Sequence, residues 1–256
     1  MGQRPLPARR PPRRPAAPTR GRVPARPART ALARPDRRTG RRPVPAPVRV
    51  GRPGHGYPWH WSVTPWFEGR MAAELPVADR RPLAAPLADF VTRLHVPAPD
   101  DAPANPVRGV PLRDRHDRVV RYLESGRVPR PRDLRALWEG LADTPARTGP
   151  PLWVHGDLHP ANLLVTAADR PCLAAVLDFG DLTSGDPATD LAAAWMLFDA
   201  PGRAAFRAAL PHVDPHTWDR ARGWAVVLGA ATGAHSSDDP LLDAIGRHAL
   251  AQALDS

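Results

Sequence analysis

The stretch from Trp153 to Asp190, WVHGDLHPANLLVTAADRPCLAAVLDFGDLTSGDPATD, constrains the fold more than any other part of the chain. Two short apolar runs, Leu163-Leu164-Val165 and Leu173 to Leu177, flank the polar turn Ala167 to Pro171, which predicts a β-hairpin. A hairpin brings its ends together. Asn162 just before it and Asp178 just after it are therefore expected to be neighbours. Around those ends lie three groups of acidic and amide residues. The first is His155-Gly156-Asp157-Leu158-His159-Pro160-Ala161-Asn162, the second Asp178-Phe179-Gly180, and the third Gly185-Asp186-Pro187 with Asp190-Leu191.

Oxygen ligands held close together suit magnesium. Asn162 offers an amide oxygen and Asp178 a carboxylate, so these two are the expected metal ligands. Asp157, five residues before Asn162, is left to orient an attacking hydroxyl and accept its proton. The spacing and the roles match the kinase catalytic loop and its Asp-Phe-Gly. Either motif alone is equally compatible with an ordinary turn or strand end; the two in order across one hairpin favour metal-dependent phosphoryl transfer. His155-x-Asp157-x-His159 also offers three donors to zinc, but zinc sites usually use dedicated loops or helical His pairs. The favoured reading is that both imidazoles hydrogen-bond the loop backbone and hold Asp157 in place.

This stretch resembles the aminoglycoside phosphotransferase family, small-molecule kinases with a protein-kinase-like fold. His155-Gly156-Asp157 in place of His-Arg-Asp carries the resemblance, as does Gly185-Asp186-Pro187-Ala188-Thr189-Asp190-Leu191. The resemblance runs from about residue 43 to the C-terminus. It implies an α/β fold: an incomplete small β lobe and a mostly helical large lobe. It further implies Asp157 as catalytic base, with His155 beside it in the catalytic motif, and Asn162 and Asp178 as Mg2+ ligands. The phosphoryl donor would be ATP or GTP and the acceptor an alcohol group of a small molecule. The family also contains choline, homoserine, macrolide and sugar kinases, so the motif gives the reaction and not the acceptor; an aminoglycoside antibiotic is one candidate. By the same resemblance Trp66-Phe67-Glu68-Gly69 is the hinge, so Trp66, Phe67 and Glu68 are expected to bind the nucleotide's adenine. Asp190 would support the catalytic loop by hydrogen bonding, and both Asp186 and Asp190 are read as structural.

Composition divides the chain. There is no lysine, and sixteen of the 36 arginines lie up to Arg52, alongside one acid, Asp36. The formal charge of +10 therefore belongs to the N-terminal segment. Residues 1–42 are Arg, Pro, Ala and Gly with almost nothing else, which predicts disorder. Translation of a GC-rich gene in a wrong frame gives similar sequence, so a truncated or frameshifted small lobe is expected here. Residues 43–68 read as the remnant of that lobe and the hinge, and 69–256 as the catalytic lobe. Val48, Val50 and the alternation of Trp59, Trp61 and Val63 suggest strands, with core packing the favoured role for each tryptophan. No apolar run approaches the ~18 residues of a membrane span, and the single Cys172 suits a reducing cytosol, so a cytoplasmic protein without a membrane partner is expected. The basic tail allows nucleic-acid binding, but no aromatic residue interleaves its arginines, which disfavours it. An inactive remnant that acts at most as a binding module is the alternative to an active kinase.

Further helices follow from apolar spacing and Pro starts: Pro82 to His95, Arg113 to Gly126, Pro131 to Ala142, Pro187 to about Asp199, Ala204 to Leu210, Pro215 to Gly233 and Pro240 to Leu254. His95 is expected as a cap or surface group. Asp100 to Pro111 reads as a polar surface loop in which Arg108-Gly109 is the pair able to touch a substrate. Arg220, Arg222 and Trp224 are either core-edge or pocket residues.

Overall fold

The computed structural model describes residues 44–167, 171–236 and 238–256. The expectations for residues 1–42, and for the tip of the hairpin turn, lie outside them. β1 (Arg49–Gly51) and β2 (Trp61–Val63) pair antiparallel, with Val50 opposite Ser62. The strands form where the alternating pattern places them, but their tryptophans are not core. Trp59, Trp61 and Trp66 are 53%, 46% and 87% exposed. Among the described residues β1–β2 is a sheet of two strands with no layer packed on either face, and such a ribbon buries little.

β3 (Arg70–Met71) leads into the body of the protein. The first helices follow: α1 (Ala84–Leu94), α2 (His116–Leu123) and α3 (Pro131–Ala142). Both α1 and α2 are entered through 3-10 turns, Val77–Leu83 and Leu112–Arg115, which accounts for their starting later than the apolar pattern suggests. In α3, Pro131 occupies the first turn, where its missing N–H costs nothing. Leu134, Trp138 and Leu141 then share a buried face.

β4 (Leu152–Val154), β5 (Leu163–Val165), β6 (Leu173–Val176) and β7 (Thr183–Gly185) are packed into the central stretch. β5 and β6 form the expected hairpin, with Leu163 opposite Val176, and β3 adds to its outer edge. β4 and β7 pair separately, Val154 opposite Thr183. The remaining helices are α4 (Ala188–Leu191), α5 (Ala193–Leu197), α6 (Ala200–Ala208), α7 (Pro215–His235) and α8 (Pro240–Leu254). An Asp-Pro pair opens α7 and α8: Asp214 accepts from Thr217 N at 2.9 Å, and Asp239 from Leu241 N at 3.1 Å. The aspartate caps a free N–H and the proline presets the first turn. α7 is buried along most of its length and forms the centre of the helical body. Its Trp218 meets Trp195 and Phe206 at ring separations of 6.4 and 6.1 Å.

The loop 100–111 is sewn onto β7. Ser184 N donates to Pro103 O at 2.9 Å, Asp186 N to Gly109 O at 2.9 Å, and Gly109 N to Thr189 Oγ1 at 3.1 Å. The chains touch at Gly109 and Gly185. A Cβ on Gly185 would press on the Gly109 carbonyl oxygen and lie 2.7 Å from its Cα. Gly185→Ala is expected to cost about 1–3 kcal/mol, the usual range for overpacking, read as a lower midpoint in urea unfolding. An unchanged midpoint would show that the loop can lift away freely.

Candidate active site

The open end of the β5–β6 hairpin is where the polar groups gather. Asn162 N donates to His159 O at 2.9 Å, and Leu177 N donates to Asn162 O at 2.8 Å. Asn162 is thereby fixed beside the residue that precedes Asp178, as the hairpin pattern requires. Its side-chain Nδ2 donates to the Asp157 carbonyl at 2.9 Å and reaches Asp157 Oδ2 at 3.3 Å. The amide oxygen is the atom this leaves for a cation. Asp178 is exposed and sits in the left-handed region, φ 57° and ψ 68°, with Oδ1 accepting from Gly180 N at 3.1 Å. That backbone region is uncommon for a residue with a Cβ, and such strain concentrates at functional sites.

The segment that carries Asp157 leaves β4 through Gly156, at φ +86°, where a Cβ would lie 2.6 Å from Asp181 O. Its anchor is Asp190. This fully buried carboxylate accepts from His155 N at 2.8 Å and Gly156 N at 2.9 Å, and pairs with His95 Nε2 at 3.1 Å. His95, expected as a cap or surface group, is thus a partner of the loop's anchor. Asp186 accepts from Ala188 N at 3.0 Å and pairs with Arg220 at 2.6 Å, so Arg220 is a core residue, 3% exposed.

His155 is wholly buried. Its Nδ1 accepts from Asp157 N at 3.2 Å, so Nε2 carries the proton and donates to Leu177 O at 2.9 Å. Both nitrogens are engaged within the protein, and its ring packs on Phe179 with centroids 4.7 Å apart. So placed, His155 ties the loop that carries Asp157 to the strand before Asp178. The same engagement removes it from a zinc set. His159 Nδ1 accepts from Ala161 N at 3.3 Å, which leaves Nε2 to face Asp157 Oδ2 at 3.4 Å.

Asp157 keeps 31% of its side chain exposed. Burial is the largest single influence and by itself would raise its carboxyl; the His159 hydrogen bond and the charges of His159, Arg108 and His155 together outweigh it and hold the group down at about 2. Such a carboxylate is ionised at any ordinary pH, the state in which it can accept a hydrogen bond or a proton from a hydroxyl.

Asp181 was not read from the sequence as a site residue, and Arg108 was named there only as able to touch a substrate. Arg108, assigned there to a surface loop, lies with Nη2 3.6 Å from Asp157 Oδ1 and Nε 3.5 Å from Asp181 Oδ2. Asp181 also accepts from Asn105 Nδ2 at 3.4 Å. Burial pushes the Asp181 carboxyl above its ordinary value; Arg108 pulls it down, and the charges of Asp157 and Asp178 add to the rise. Asp181 follows Asp-Phe-Gly directly, a signal available in the sequence. Arg108 is brought in from 49 positions before Asp157, and no local pattern announces it.

Trp66, Phe67 and Glu68 do not join this cluster. They precede β3, which pairs Arg70 with Val165 and Met71 with Leu164. The hinge segment thus enters at the turn end of the hairpin, while Asn162 and Asp178 hold the open end. Val165 to Asn162 is three residues, about 10 Å of strand.

Solved structures that share this fold include phosphotransferases. Aminoglycoside 2'-phosphotransferase-IIIa in complex with GDP superposes with a TM-score of 0.53 at 17% identity, over 84% of this chain and 76% of that one. APH(2")-IIia with GDP and kanamycin gives 0.51 at 20%, over 82% and 75%. Macrolide 2'-phosphotransferase MphH from Brachybacterium faecium, as the apoenzyme, gives 0.50 at 20%, over 83% and 73%. The fold is the mixed α/β, protein-kinase-like one these enzymes share. The chain belongs to the phosphotransferase enzyme family, whose model matches residues 5–224. Among curated proteins no significant match is found.

Proposed function

We propose that this protein transfers the γ-phosphoryl group of ATP or GTP to a hydroxyl of a small molecule. The observation that carries the reading is the convergence of Asn162 and Asp178 at one end of the hairpin, with Asp157 bonded to the Asn162 amide. Asp157 receives the acceptor hydroxyl, orients it and accepts its proton as the phosphoryl group arrives. His159 and Asn162 hold one oxygen of the Asp157 carboxylate. His155 keeps the loop against the strand that ends at Asp178. Asn162 Oδ1 and the Asp178 carboxylate are an oxygen pair suited to magnesium, which commonly takes one or two protein ligands and completes its shell with phosphates and water. Magnesium bound there neutralises the triphosphate's charge. Trp66, Phe67 and Glu68 run into β3 at the turn end of the hairpin whose open end carries that pair, which supports an adenine position against the backbone of residues 66–68.

The acceptor side is the less determined one. Kanamycin stands in one related structure, and another relative is a macrolide phosphotransferase. An aminoglycoside or a macrolide is therefore the first acceptor to try, with GTP beside ATP because GDP occupies two of the relatives. A second reading, a nucleotide-binding protein without turnover, is favoured by one observation: β1–β2 presents Val48, Val50, Trp59, Trp61 and Val63 to solvent rather than closing over a ligand.

The test is thermal stabilisation by ATP or GTP with and without magnesium, followed by phosphate transfer to kanamycin and to a macrolide. Asp178→Ala is expected to abolish the magnesium-dependent part of the stabilisation and to lower transfer by at least as much as loss of the catalytic carboxylate. Magnesium-dependent stabilisation that survives Asp178→Ala unchanged would sink the metal assignment. Binding without transfer to any acceptor would select the second reading.

A further inference from the structure

The guanidinium of Arg108 is held at the catalytic carboxylate by a loop that has no other evident reason to be rigid. Both ends of that loop are tied to β7 and α4, through Pro103 O and through Gly109, and Asn105 bonds Asp181. Arg108 itself is 20% exposed and makes no strong hydrogen bond there. Its Nε is buried without a hydrogen-bond partner, and its ion pairs to Asp181 and Asp157 stand at 3.5 and 3.6 Å. A buried polar group left in that state calls for an explanation, and a role at a catalytic site is one.

The Asp157 carboxylate shows what the cation does. One oxygen, Oδ2, is taken by His159 and Asn162. The other, Oδ1, faces Arg108 alone among the described side chains. With only one oxygen held, the carboxylate is free to swing about its Cβ–Cγ bond; with both held, the plane of the group is set. We propose that Arg108, backed by Asp181, is a positioning residue that fixes the plane of the Asp157 carboxylate toward the acceptor hydroxyl. This rests on the phosphotransfer reading for the purpose it serves, and on geometry alone for the contact. Asp181 has the complementary task. Its carboxylate keeps the guanidinium from closing fully onto Asp157, which would use up the oxygen the hydroxyl needs.

A double-mutant cycle with a crystallographic arm tests it. Crystal structures of the wild type and of Arg108→Met are compared at Asp157. A single Asp157 conformer in the wild type and a rotated or split one in Arg108→Met is the expected result; an Asp157 unmoved in Arg108→Met overturns the proposal, whatever the protein catalyses. Turnover is then measured as magnesium-dependent ATP or GTP consumption with kanamycin as acceptor, and with water alone. Arg108→Met should lower kcat by about 10²-fold, the scale of a small misplacement of a reacting group, and leave the KM for nucleotide unchanged. Arg108→Lys, which keeps the charge, should recover part of it. On an Asp157→Asn background Arg108→Met should cost nothing further; an additional loss there would mean that Arg108 acts directly and not through Asp157. If Arg108→Met does not fold, Arg108→Lys and Asp181→Asn carry the same two comparisons. A wild type that consumes no nucleotide with kanamycin, with a macrolide or with water refutes the phosphotransfer reading, while the crystallographic comparison still decides on Arg108.

Discussion

Asp157→Asn is expected to lower phosphotransfer by about 10²–10⁴-fold, the range for loss of a positioned general base. The substitution is close in shape. The amide can still meet Asn162 and His159, which hold Oδ2 at 3.3 and 3.4 Å. What it loses is the ability to take a proton and the negative charge that aims the hydroxyl. Magnesium-dependent nucleotide binding should survive, since Asp157 serves the acceptor; Asp178→Ala should weaken it. The pH behaviour adds an independent check. Folding holds the Asp157 carboxyl at about 2 against an ordinary 3.8. A carboxylate depressed in this way contributes stability above its unfolded value and loses it as pH falls through its folded one. The wild type should therefore lose stability across that acid interval more steeply than Asp157→Asn, measured by denaturant unfolding at a series of pH values. Wild-type turnover by Asp157→Asn would refute the assignment, and parallel pH profiles would refute the electrostatic account of the loop.

Much of the site was legible because its signals are local. The hairpin follows from two apolar runs and a polar turn, and a hairpin's ends must meet, so the proximity of Asn162 to the start of Asp178-Phe179-Gly180 needed no tertiary knowledge. The starts of α7 and α8 were legible for the same reason, since Pro215 and Pro240 preset a first helical turn through neighbouring atoms alone. Asp190 is a different case. Its bonds to His155 N and Gly156 N span more than thirty residues, and it was expected through the family resemblance rather than through any spacing.

What was missed is what long-range packing decides. Strands β4 and β7 are three residues each, too short for alternation to declare them, and they exist because they pair with each other. Arg108 reads as a loop arginine until Gly109 and Gly185 bring that loop onto β7. The tryptophans of β1–β2 fail in the opposite sense. Hydrophobicity predicts burial, but burial needs a second layer, and among the described residues none covers Trp59, Trp61 or Trp66.

Asp190→Ala should be the most destabilising single change in the central stretch. The carboxylate has no exposed surface and serves three groups: the backbone N–H groups of His155 and Gly156 and the imidazole of His95. Removing it leaves those donors buried without acceptors, and each orphaned donor costs about 1–3 kcal/mol. Against a total of about 5–15 kcal/mol for a typical domain, that is a large share. Asp190→Asn keeps one acceptor oxygen and should lose less, because one backbone N–H can still be met. The effect on chemistry should exceed the effect on folding. With Asp190 gone, the segment from His155 to Asp157 keeps the His155 side chain and the contacts of Asp157 with Asn162 and His159, but both of its backbone N–H ties to the helical body are lost. Asp157 then loses its fixed relation to the helical body, so turnover in the folded fraction should fall as far as in Asp157→Asn. Denaturant unfolding of both variants, with turnover normalised to the folded fraction, reads both quantities. An Asp190→Ala protein with wild-type stability would show that water or a neighbouring carbonyl replaces the carboxylate. One that is destabilised yet fully active once folded would show that the loop's geometry does not depend on this anchor.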